Sequence, residues 1–260
     1  MVNKSNFATL KNRYRFEIQL KLVTPLHIGG GQDEAVTADS PIIIDANKGP
    51  YIPGSSFKGV LRTAAERTAH IFNMHPCFLQ KGECEPPKAS TVANLSEEAL
   101  FDLIYSKSCP ICQTFGGKGV ASKVTIHNVY FHTESNTQTR VRTSNAINRE
   151  TGTAKNGALF TYEYVLPNET CTLVIDAENM DENNLQVLSL ALAQLRHNFI
   201  RLGGMQSKGL GQIEFVEENS KVSIENFENR SRQDAISLLL GLKERETMSI
   251  DEFLQLQLEG

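Results

Sequence analysis

The sequence predicts an α+β fold in which helices cover one face of an antiparallel sheet, and three observations support this. Residues 14–23 alternate apolar and polar side chains, which is the period-2 pattern of a half-buried strand. Two segments, 56–73 and 181–200, carry apolar side chains at the spacing of an amphipathic helix. Strand-like and helix-like segments follow one another without a regular β-α-β alternation, which argues against a parallel sheet.

The remaining elements follow in order along the chain. The first strand ends before Pro25, and a glycine-containing loop leads to a short strand-like run at 41–44. Ser55 or Ser56 is the predicted N-cap of the first helix, because a hydroxyl there can accept a hydrogen bond from the first turn. Further strands are expected at 124–131, 158–166, 171–176 and 210–217, and shorter helices near 97–105, 232–244 and 249–258.

This order of elements fits the ferredoxin-like, or RRM-like, split β-α-β arrangement. Two segments are then additions to that core. Residues 74–123 are irregular and rich in Pro, Gly and Cys, and residues 133–157 are polar and too long for an ordinary loop in a compact domain. We expect one elaborated domain over residues 1–218 and an acidic helical C-terminal tail over residues 219–260.

The composition is that of an ordinary globular chain and excludes two classes of protein. Of the 260 residues, 40% are apolar and 22% are charged, which is typical of a folded domain and not of a disordered one. The sequence has no run of about 18 apolar residues, which is the length needed to span a membrane. The polar N-terminal residues do not resemble a secretory signal. We therefore expect a cytoplasmic protein without a membrane partner.

The net charge of −4 conceals an uneven distribution. Residues 217–260 carry ten acidic and five basic side chains, so that this segment has a charge of −5 and the rest of the chain +1. Basic residues in the body cluster beside glycine-rich segments, at 58–67, 140–155 and 196–208. The acidic total therefore does not exclude a nucleic-acid partner, although each cluster taken alone could be an ordinary solvated face.

Four of the five cysteines lie within 36 residues, and their spacing predicts a structural zinc site. A Cys-x-x-Cys pair lets two thiolates reach one ion, and two cysteine pairs around a loop suit tetrahedral Zn²⁺. The ion would close a segment that has few apolar residues to fold around. The predicted ligands are Cys77, Cys84, Cys109 and Cys112.

Other interpretations of the cysteines remain open. The first pair is spaced more widely than a standard zinc knuckle, so His75 could replace one of its members. Redox chemistry at Cys109 and Cys112 is a weaker alternative, because no thioredoxin-like strand precedes them. A catalytic zinc is weaker still, since four ligands leave no open position. Cys171 lies within a predicted strand and is expected to be a buried apolar residue.

Several separated motifs, taken together and in this order, resemble one family. They are Leu26-His27-Ile28-Gly29-Gly30, Asp39-Ser40-Pro41, Ile52-Pro53-Gly54-Ser55-Ser56-Phe57-Lys58-Gly59 with Leu61-Arg62-Thr63, Ile147-x-Arg149-x-Thr151-x-x-Ala154 and Leu202-Gly203-Gly204-Met205-Gln206-Ser207-Lys208-Gly209-Leu210-Gly211. Together they resemble the guide-RNA-binding backbone subunits of type III CRISPR effector complexes, in the repeat-associated (RAMP) superfamily. The resemblance covers residues 14–217, and the cysteine insertion resembles the zinc-carrying versions of subtypes III-D and III-E.

The resemblance implies an interface with guide RNA. A helix N-terminus with hydroxyls and a cation suits a phosphate, and residues 132–158 become a thumb-like hairpin that crosses the guide, with an apolar wedge in the base stack. A disordered loop is the alternative for that segment, and His27 is either an RNA contact or a turn residue with satisfied hydrogen bonds. The implied RNA contacts are His27, Ser55, Ser56, Lys58, Arg62, Arg140, Arg142, the wedge Ile147, Arg149, Ser207 and Lys208.

The resemblance also implies cleavage of target RNA that is paired with the guide. The position that matches the family's catalytic carboxylate is Asp39. An Asp beside the target strand can bind Mg²⁺ or a similar divalent cation, or help to activate the 2′-hydroxyl at a distorted step. Three nearby acidic residues are weaker candidates, two as loop residues and the last as a turn residue: Asp33, Glu34 and Asp45.

Two alternatives to a catalytic subunit remain open. The chain could be a non-catalytic filament subunit that only holds the guide. It could also be a guide-maturation endonuclease of the same superfamily, which would need a His-based acid–base pair, and only His27 presents itself. The expected partners are guide RNA (crRNA), complementary target RNA, other CRISPR effector subunits and further copies of this chain.

Overall fold

A computed structural model describes residues 9–30, 38–87, 92 and 94–259. This part of the chain is a mixed α/β structure with antiparallel sheets, which confirms the broad prediction. The strands are β1 (Asn12–Leu22), β2 (Ile44–Asp45), β3 (Gly49–Ile52), β4 (Val124–Ile126), β5 (Val129–Tyr130), β6 (Thr139–Ile147), β7 (Ala154–Val165), β8 (Thr170–Glu178), β9 (Ile213–Asn226) and β10 (Glu246–Ser249). The helices are α1 (Gly54–Thr68), α2 (Glu97–Lys107), α3 (Pro110–Phe115), α4 (Glu182–Arg196), α5 (Arg232–Leu239) and α6 (Ile250–Leu258).

The main sheet has the strand order β10-β9-β1-β8-β4, and each neighbouring pair in it is antiparallel. The central strand β1 buries Phe16, Ile18 and Leu20 on one face, as the alternation of the sequence predicts. On the other face, Arg13 forms ion pairs with Glu178 of β8 and with a glutamate of β9. The sheet therefore has one apolar face, which the helices cover, and one charged face.

Helices α1 and α4 pack over the apolar face. Leu61 of α1 and Leu188 of α4 belong to the same buried cluster as Phe16 of β1. The start of α4 is fixed by a capping box, in which the Asp181 carboxylate accepts a hydrogen bond from the backbone N–H of Asn184. Burial of these apolar stripes against the sheet supplies most of the stability of the two helices.

The prediction that Ser55 or Ser56 caps α1 is wrong. The helix begins at Gly54 with Pro53 as its N-cap, so that both serines lie within the first turn. A Cβ at Gly54 would lie 2.1 Å from the carbonyl oxygen of Ile126, which explains why glycine occupies this position. The α-helix ends at Thr68, and a 3-10 turn (Ala69–Phe72) continues to the predicted end of the segment.

The predicted boundary between core and tail falls inside a strand. Strand β9 continues past residue 218 through a bulge between Val216 and Lys221, where its register against β1 shifts, and β10 pairs with its outer edge. Helix α6 packs on the core, where Phe253 is fully buried with its ring 5.1 Å from that of Phe16. The acidic segment therefore completes the core as an edge strand and a packed helix.

The polar segment 133–157 is structured as well. Strands β6 and β7 form a two-stranded hairpin, which pairs Thr139 with Val165 at its base and Ile147 with Ala154 near its tip. The predicted strand at 124–131 is divided, because β4 joins the main sheet while β5 pairs with β3 in a small sheet with β2. Among the described residues no helix has the length and apolar character needed to cross a bilayer.

Candidate functional site

Asp39 lies on the surface beside the hairpin, and Thr161 of β7 holds it there. Oδ2 of Asp39 accepts hydrogen bonds from the backbone N–H and from the Oγ1 hydroxyl of Thr161, both at 2.7 Å. The backbone N–H of Asp39 donates in return to Oγ1 of Thr161 at 2.9 Å. The bonds from Thr161 favour the charged carboxylate and lower the pKa of Asp39 below its usual value. Asp39 is therefore an exposed, ionised carboxylate with a fixed anchor.

The backbone after Asp39 continues this contact with β7. The Ser40 N–H donates to the carbonyl oxygen of Thr161 at 3.1 Å, and the Glu163 N–H donates to the carbonyl oxygen of Ser40 at 3.0 Å. Ser40 thus forms a parallel bridge with Tyr162. This pairing attaches the candidate catalytic residue to the hairpin. The alternatives Asp33 and Glu34 lie outside the described residues, whereas Asp45 accepts backbone hydrogen bonds as a turn residue, as predicted.

His27 is buried where three segments meet. Its Nδ1 lies 2.6 Å from the carbonyl oxygen of Glu163, and its Nε2 lies 3.2 Å from Oγ of Ser40. The backbone carbonyl of His27 accepts a hydrogen bond from Gly204 at 2.8 Å, and a Cβ at Gly203 would lie 2.2 Å from the same oxygen. This placement matches the alternative of a turn residue with satisfied hydrogen bonds, and the RNA contact of His27 stays a prediction.

An open groove of about 650 Å³ lies between α1 and the loop that follows α4. Ser55 and Ser56 line one side of the groove, and Arg201 lines the other. Phe199 also lines the groove and is 76% exposed, which is unusual for a phenylalanine. Exposed arginines beside an exposed aromatic ring are typical of surfaces that bind single-stranded nucleic acid.

Three groove residues that could contact RNA were not among the predicted contacts: Arg67, Arg201 and Phe199. Arg67 and Arg201 both belong to basic clusters of the sequence, and that clustering is the signal that could have identified them. Nothing in the sequence distinguishes Phe199 from a core residue. The predicted contacts Ser207 and Lys208 lie exposed in the 3-10 turn Gln206–Lys208, whose first residue lines the groove.

Lys58 and Arg62 lie on α1 but do not line the groove. Nζ of Lys58 donates to Oγ of Ser122 at 2.7 Å, and burial lowers the pKa of this ammonium group. Arg62 donates from Nη1 to the carbonyl oxygen of Gly116 at 2.6 Å and from Nη2 to Sγ of Cys112 at 3.2 Å. Both side chains contact the cysteine-containing insertion, so the structure does not bring them together with the two serines of the first turn.

The predicted RNA contacts of the hairpin are all exposed. They lie along β6 and in the turn that follows it, and they are Arg140, Arg142, Ile147 and Arg149. Arg142 pairs with Tyr162 and Ser144 with Phe160, so these side chains share one face of the hairpin. The rings of Phe160 and Tyr162 stack on that face, 6.3 Å apart. Thr161 lies between them in sequence and points to the opposite face, where Asp39 is bound.

The four predicted metal ligands converge at one point. The Sγ atoms of the four cysteines all lie within 4.8 Å of one another, and those of Cys77 and Cys112 are 3.5 Å apart. A tetrahedral ion with Zn–S bonds of about 2.3 Å separates its sulfur ligands by about 3.8 Å. The cluster is therefore positioned to hold a metal ion of that kind. His75 is exposed and is not part of the cluster.

Hydrogen-bond donors point at the sulfur atoms. The Leu79 N–H donates to Sγ of Cys77 at 3.4 Å, and the Cys109 N–H donates to Sγ of Cys84 at 3.1 Å. Hydrogen bonding between Cys109 and Cys112 lowers the pKa of the Cys109 thiol and raises that of the Cys112 thiol. Backbone N–H donors such as those of Leu79 and Cys109 stabilise metal-bound thiolates and orient them. The cluster is therefore suited to a structural cation.

Comparison with known proteins determines the family. The sequence profile of the RAMP superfamily matches residues 19–214, which include the glycine-containing segments at 29–30 and 203–211, α1 and the hairpin. The chain belongs to the RAMP superfamily.

The chain is similar to three proteins named CRISPR system Cms endoribonuclease Csm3. That of Methanothermobacter thermautotrophicus is 27% identical over 74% of this chain and 79% of the relative. Those of Methanocaldococcus jannaschii and Streptococcus thermophilus are 25% and 26% identical, over 80% and 86% of this chain and 80% and 97% of the relatives.

The match to the RAMP superfamily ends inside β9. The edge strand β10 and helix α6 therefore lie beyond the part of the chain that the superfamily profile describes. The candidate residues discussed above, including Asp39 and the cysteine cluster, all lie within the matched residues. In this RAMP protein β10 extends the main sheet at the edge of β9, and Phe253 of α6 belongs to the buried core.

Proposed function

We propose that this RAMP protein is a backbone subunit of a type III CRISPR ribonucleoprotein, which binds guide RNA and cleaves the target RNA paired with it. The observation that carries this proposal is the exposed, ionised carboxylate of Asp39, anchored on the hairpin by Thr161. The similarity to proteins named Csm3 endoribonucleases supports the same activity. The other expected partners are further CRISPR subunits and copies of the chain, in the cytoplasm.

Asp39 is the proposed catalytic residue. When bound there, Mg²⁺ or a similar divalent cation would neutralise charge on the scissile phosphate. Asp39 would hold that cation, with water taking the proton of the adjacent 2′-hydroxyl, or would accept that proton itself. The 2′-oxygen then bonds to phosphorus while the bond to the 5′-oxygen breaks. This leaves a 2′,3′-cyclic phosphate and a 5′-hydroxyl whose proton comes from water, and in-line placement of the reacting atoms supplies most of the rate.

The guide is proposed to occupy the groove beside α1 and to pass the hairpin. Ser55 and Ser56 offer hydroxyls and the N–H groups of the first helical turn to a phosphate. Ser207 and Lys208 face the RNA from the last glycine loop. On the hairpin, three arginines contact the backbone and an apolar side chain enters the base stack: Arg140, Arg142, Arg149 and Ile147. Lys58 and Arg62 act indirectly, by joining α1 to the insertion.

The finer fold assignment belongs to this proposal. The succession β1, α1, β4, β8, α4 and β9 has the β-α-β-β-α-β order of a ferredoxin-like domain, with residues 74–123 and 132–158 as additions. The ion of the insertion is proposed to be Zn²⁺, because four thiolates are its preferred structural ligands. A zinc-carrying insertion would relate the chain to subtypes III-D and III-E.

A cleavage assay with the assembled complex tests the function. Guide RNA, labelled complementary RNA and Mg²⁺ are combined with wild-type subunit, with Asp39→Ala or with Asp45→Asn as a matched control, since Asp45 is held in a turn. We expect Asp39→Ala to abolish cleavage at this subunit's site while target binding is kept. Unchanged cleavage by this variant would overturn the catalytic proposal, and a wild-type complex that binds without cleaving would support the filament subunit.

A further inference from the structure

Thr161 directs all of its polar groups at the segment that contains Asp39. Its N–H and its hydroxyl donate to Oδ2 of Asp39, each at 2.7 Å. Its carbonyl oxygen accepts a hydrogen bond from the Ser40 N–H at 3.1 Å. Oγ1 also accepts a hydrogen bond from the backbone of Asp39 at 2.9 Å, so that the two residues form a closed ring of contacts.

We propose that Thr161 is the positioning residue for Asp39, fixing Oδ2 so that Oδ1 is left for the cation or for the reacting 2′-hydroxyl. This inference rests on the proposed function. No hydrogen bond from another described residue reaches Oδ1, whereas Oδ2 accepts two from Thr161. Without these bonds an exposed carboxylate rotates freely about its two side-chain torsions, and a reacting group that is displaced by about 1 Å loses much of its rate.

The support behind Thr161 is rigid. Threonine is branched at Cβ, which restricts its first side-chain torsion and places Oγ1 in advance. The next residue, Tyr162, is 2% exposed and its ring packs edge-on against His27. His27 in turn is hydrogen-bonded to Ser40. Strand β7 thus connects the carboxylate of Asp39, held by Thr161, to the buried contact between Tyr162 and His27.

The same contact links the carboxylate to the RNA-facing hairpin. Thr161 is flanked in β7 by Phe160 and Tyr162, whose stacked rings lie on the face that carries the arginines. Because the strand is shared, a displacement of the hairpin moves Oδ2 of Asp39 with it. Thr161 therefore makes the position of the cleaving group depend on how the hairpin is seated on RNA.

Three variants test this inference in the assembled complex. Thr161→Val keeps the shape and the backbone N–H but removes the hydroxyl, and Thr161→Ser keeps the hydroxyl. Thr143→Val is the control: it makes the same threonine-to-valine change on β6, at the residue that pairs with Thr161. Single-turnover cleavage rate, target affinity and the Mg²⁺ concentration for half-maximal rate are measured. We expect Thr161→Val to cleave about tenfold more slowly, as for loss of one hydrogen bond to a charged group, with a higher Mg²⁺ requirement and unchanged target affinity.

The controls separate positioning from other effects. Thr161→Ser should cleave within about threefold of the wild-type rate, because the serine hydroxyl can still donate to the carboxylate of Asp39. Thr143→Val should cleave at the wild-type rate, because the hydroxyl of Thr143 is not among the groups that bond to Asp39. Equal rates for Thr161→Val and Thr143→Val would overturn the inference. If Thr161→Val fails to assemble, Thr161→Ala removes the same hydroxyl and is judged by the same criteria. Asp39→Ala is run in parallel: cleavage by that variant refutes the proposed function, whereas its inactivity beside a fully active Thr161→Val refutes only the positioning role.

Discussion

Arg196 of α4 forms a bidentate ion pair with Asp251 of α6, with Nε–Oδ1 at 2.7 Å and Nη2–Oδ2 at 2.9 Å. The pair joins a core helix to the last helix of the acidic C-terminal segment. Arg196 also lies 4.8 Å from the centre of the Phe215 ring in β9, so its guanidinium is held from two sides. The C-terminal segment is therefore fixed to the core by a specific contact as well as by apolar packing.

The ion pair makes stability depend on pH in a predictable direction. The hydrogen bonds from Arg196 lower the pKa of the Asp251 carboxyl in the folded state. The stabilisation is therefore complete above the unfolded pKa of about 4 and is lost as the pH falls through the lower folded value. We expect Asp251→Asn to lower the free energy of unfolding at pH 7 by up to about 1 kcal/mol, since the pair is partly exposed.

Urea unfolding at pH 7 and pH 3 measures this dependence. The difference between wild type and Asp251→Asn should shrink at the lower pH. Glu244→Gln, at an exposed position of the same segment, serves as the control and should change little at either pH. If Asp251→Asn lowered the free energy of unfolding equally at pH 7 and pH 3, the stabilisation would not depend on the charge of the Asp251 carboxylate.

The packing of α6 predicts a larger effect. Phe253 is fully buried, and its ring makes edge-on contacts with Phe16 and Tyr14. Phe253→Ala leaves a cavity under the main sheet and should lower the free energy of unfolding by about 3 to 5 kcal/mol. Leu256→Ala on the same helix is the matched control, because Leu256 is 63% exposed. Thermal or urea unfolding gives both values, and similar losses for the two variants would contradict the burial.

The cysteine cluster predicts a definite metal content. We expect about one Zn²⁺ per chain in purified protein, and folding of the insertion should depend on it. Cys112→Ser should release the metal, because its sulfur is buried within the cluster. Cys171→Ala should keep it, since that thiol lies in β8 and burial raises its pKa to about 12. Metal analysis of the three proteins decides, and a folded wild type without metal would contradict the zinc assignment.

Arg62 predicts a separate effect on the same ion. Its Nη2 donates to Sγ of Cys112, and residues that contact metal ligands in this way typically change metal affinity by about 10- to 100-fold. Arg62→Lys cannot reproduce the fork of donors to Cys112, Gly116 and Glu66, so we expect zinc affinity to fall within that range. Arg67→Lys, on the groove side of α1, should leave it unchanged. Competition with a chelator measures the zinc affinity of both variants. Equal zinc affinities for Arg62→Lys and Arg67→Lys would show that Arg62 does not support the metal site.

The sequence predicted the elements that have a strong period and missed those that do not. Strand β1 and helix α4 bury one regular face, so their apolar spacing identified them. Strands β2 and β3 are two and four residues long, which is too short for any period to appear. Strand β10 reads Glu-Thr-Met-Ser and exists because the edge of β9 is available for pairing.

The candidate site was predictable where residue type alone identifies the chemistry. Four clustered cysteines indicate a metal site whatever the fold. The directions of Lys58 and Arg62 depend on where the insertion packs, and the sequence does not contain that information. Thr161 was missed because its role arises only when β7 is placed beside Asp39, 122 residues away in the chain.

The groove predicts how RNA binding responds to salt. Arg201 lines the groove and is exposed, and we propose that it contacts one phosphate of the guide. Each such contact releases counterions, and for single strands it contributes about 0.7 to the slope of log affinity against log salt. Arg201→Gln should therefore weaken guide binding and reduce that slope by about 0.7. Arg232→Gln, an exposed arginine at the start of α5, is the control and should leave the slope unchanged. Fluorescence anisotropy of labelled guide RNA over a series of KCl concentrations gives both slopes, and an unaltered slope for Arg201→Gln would place the guide phosphates elsewhere.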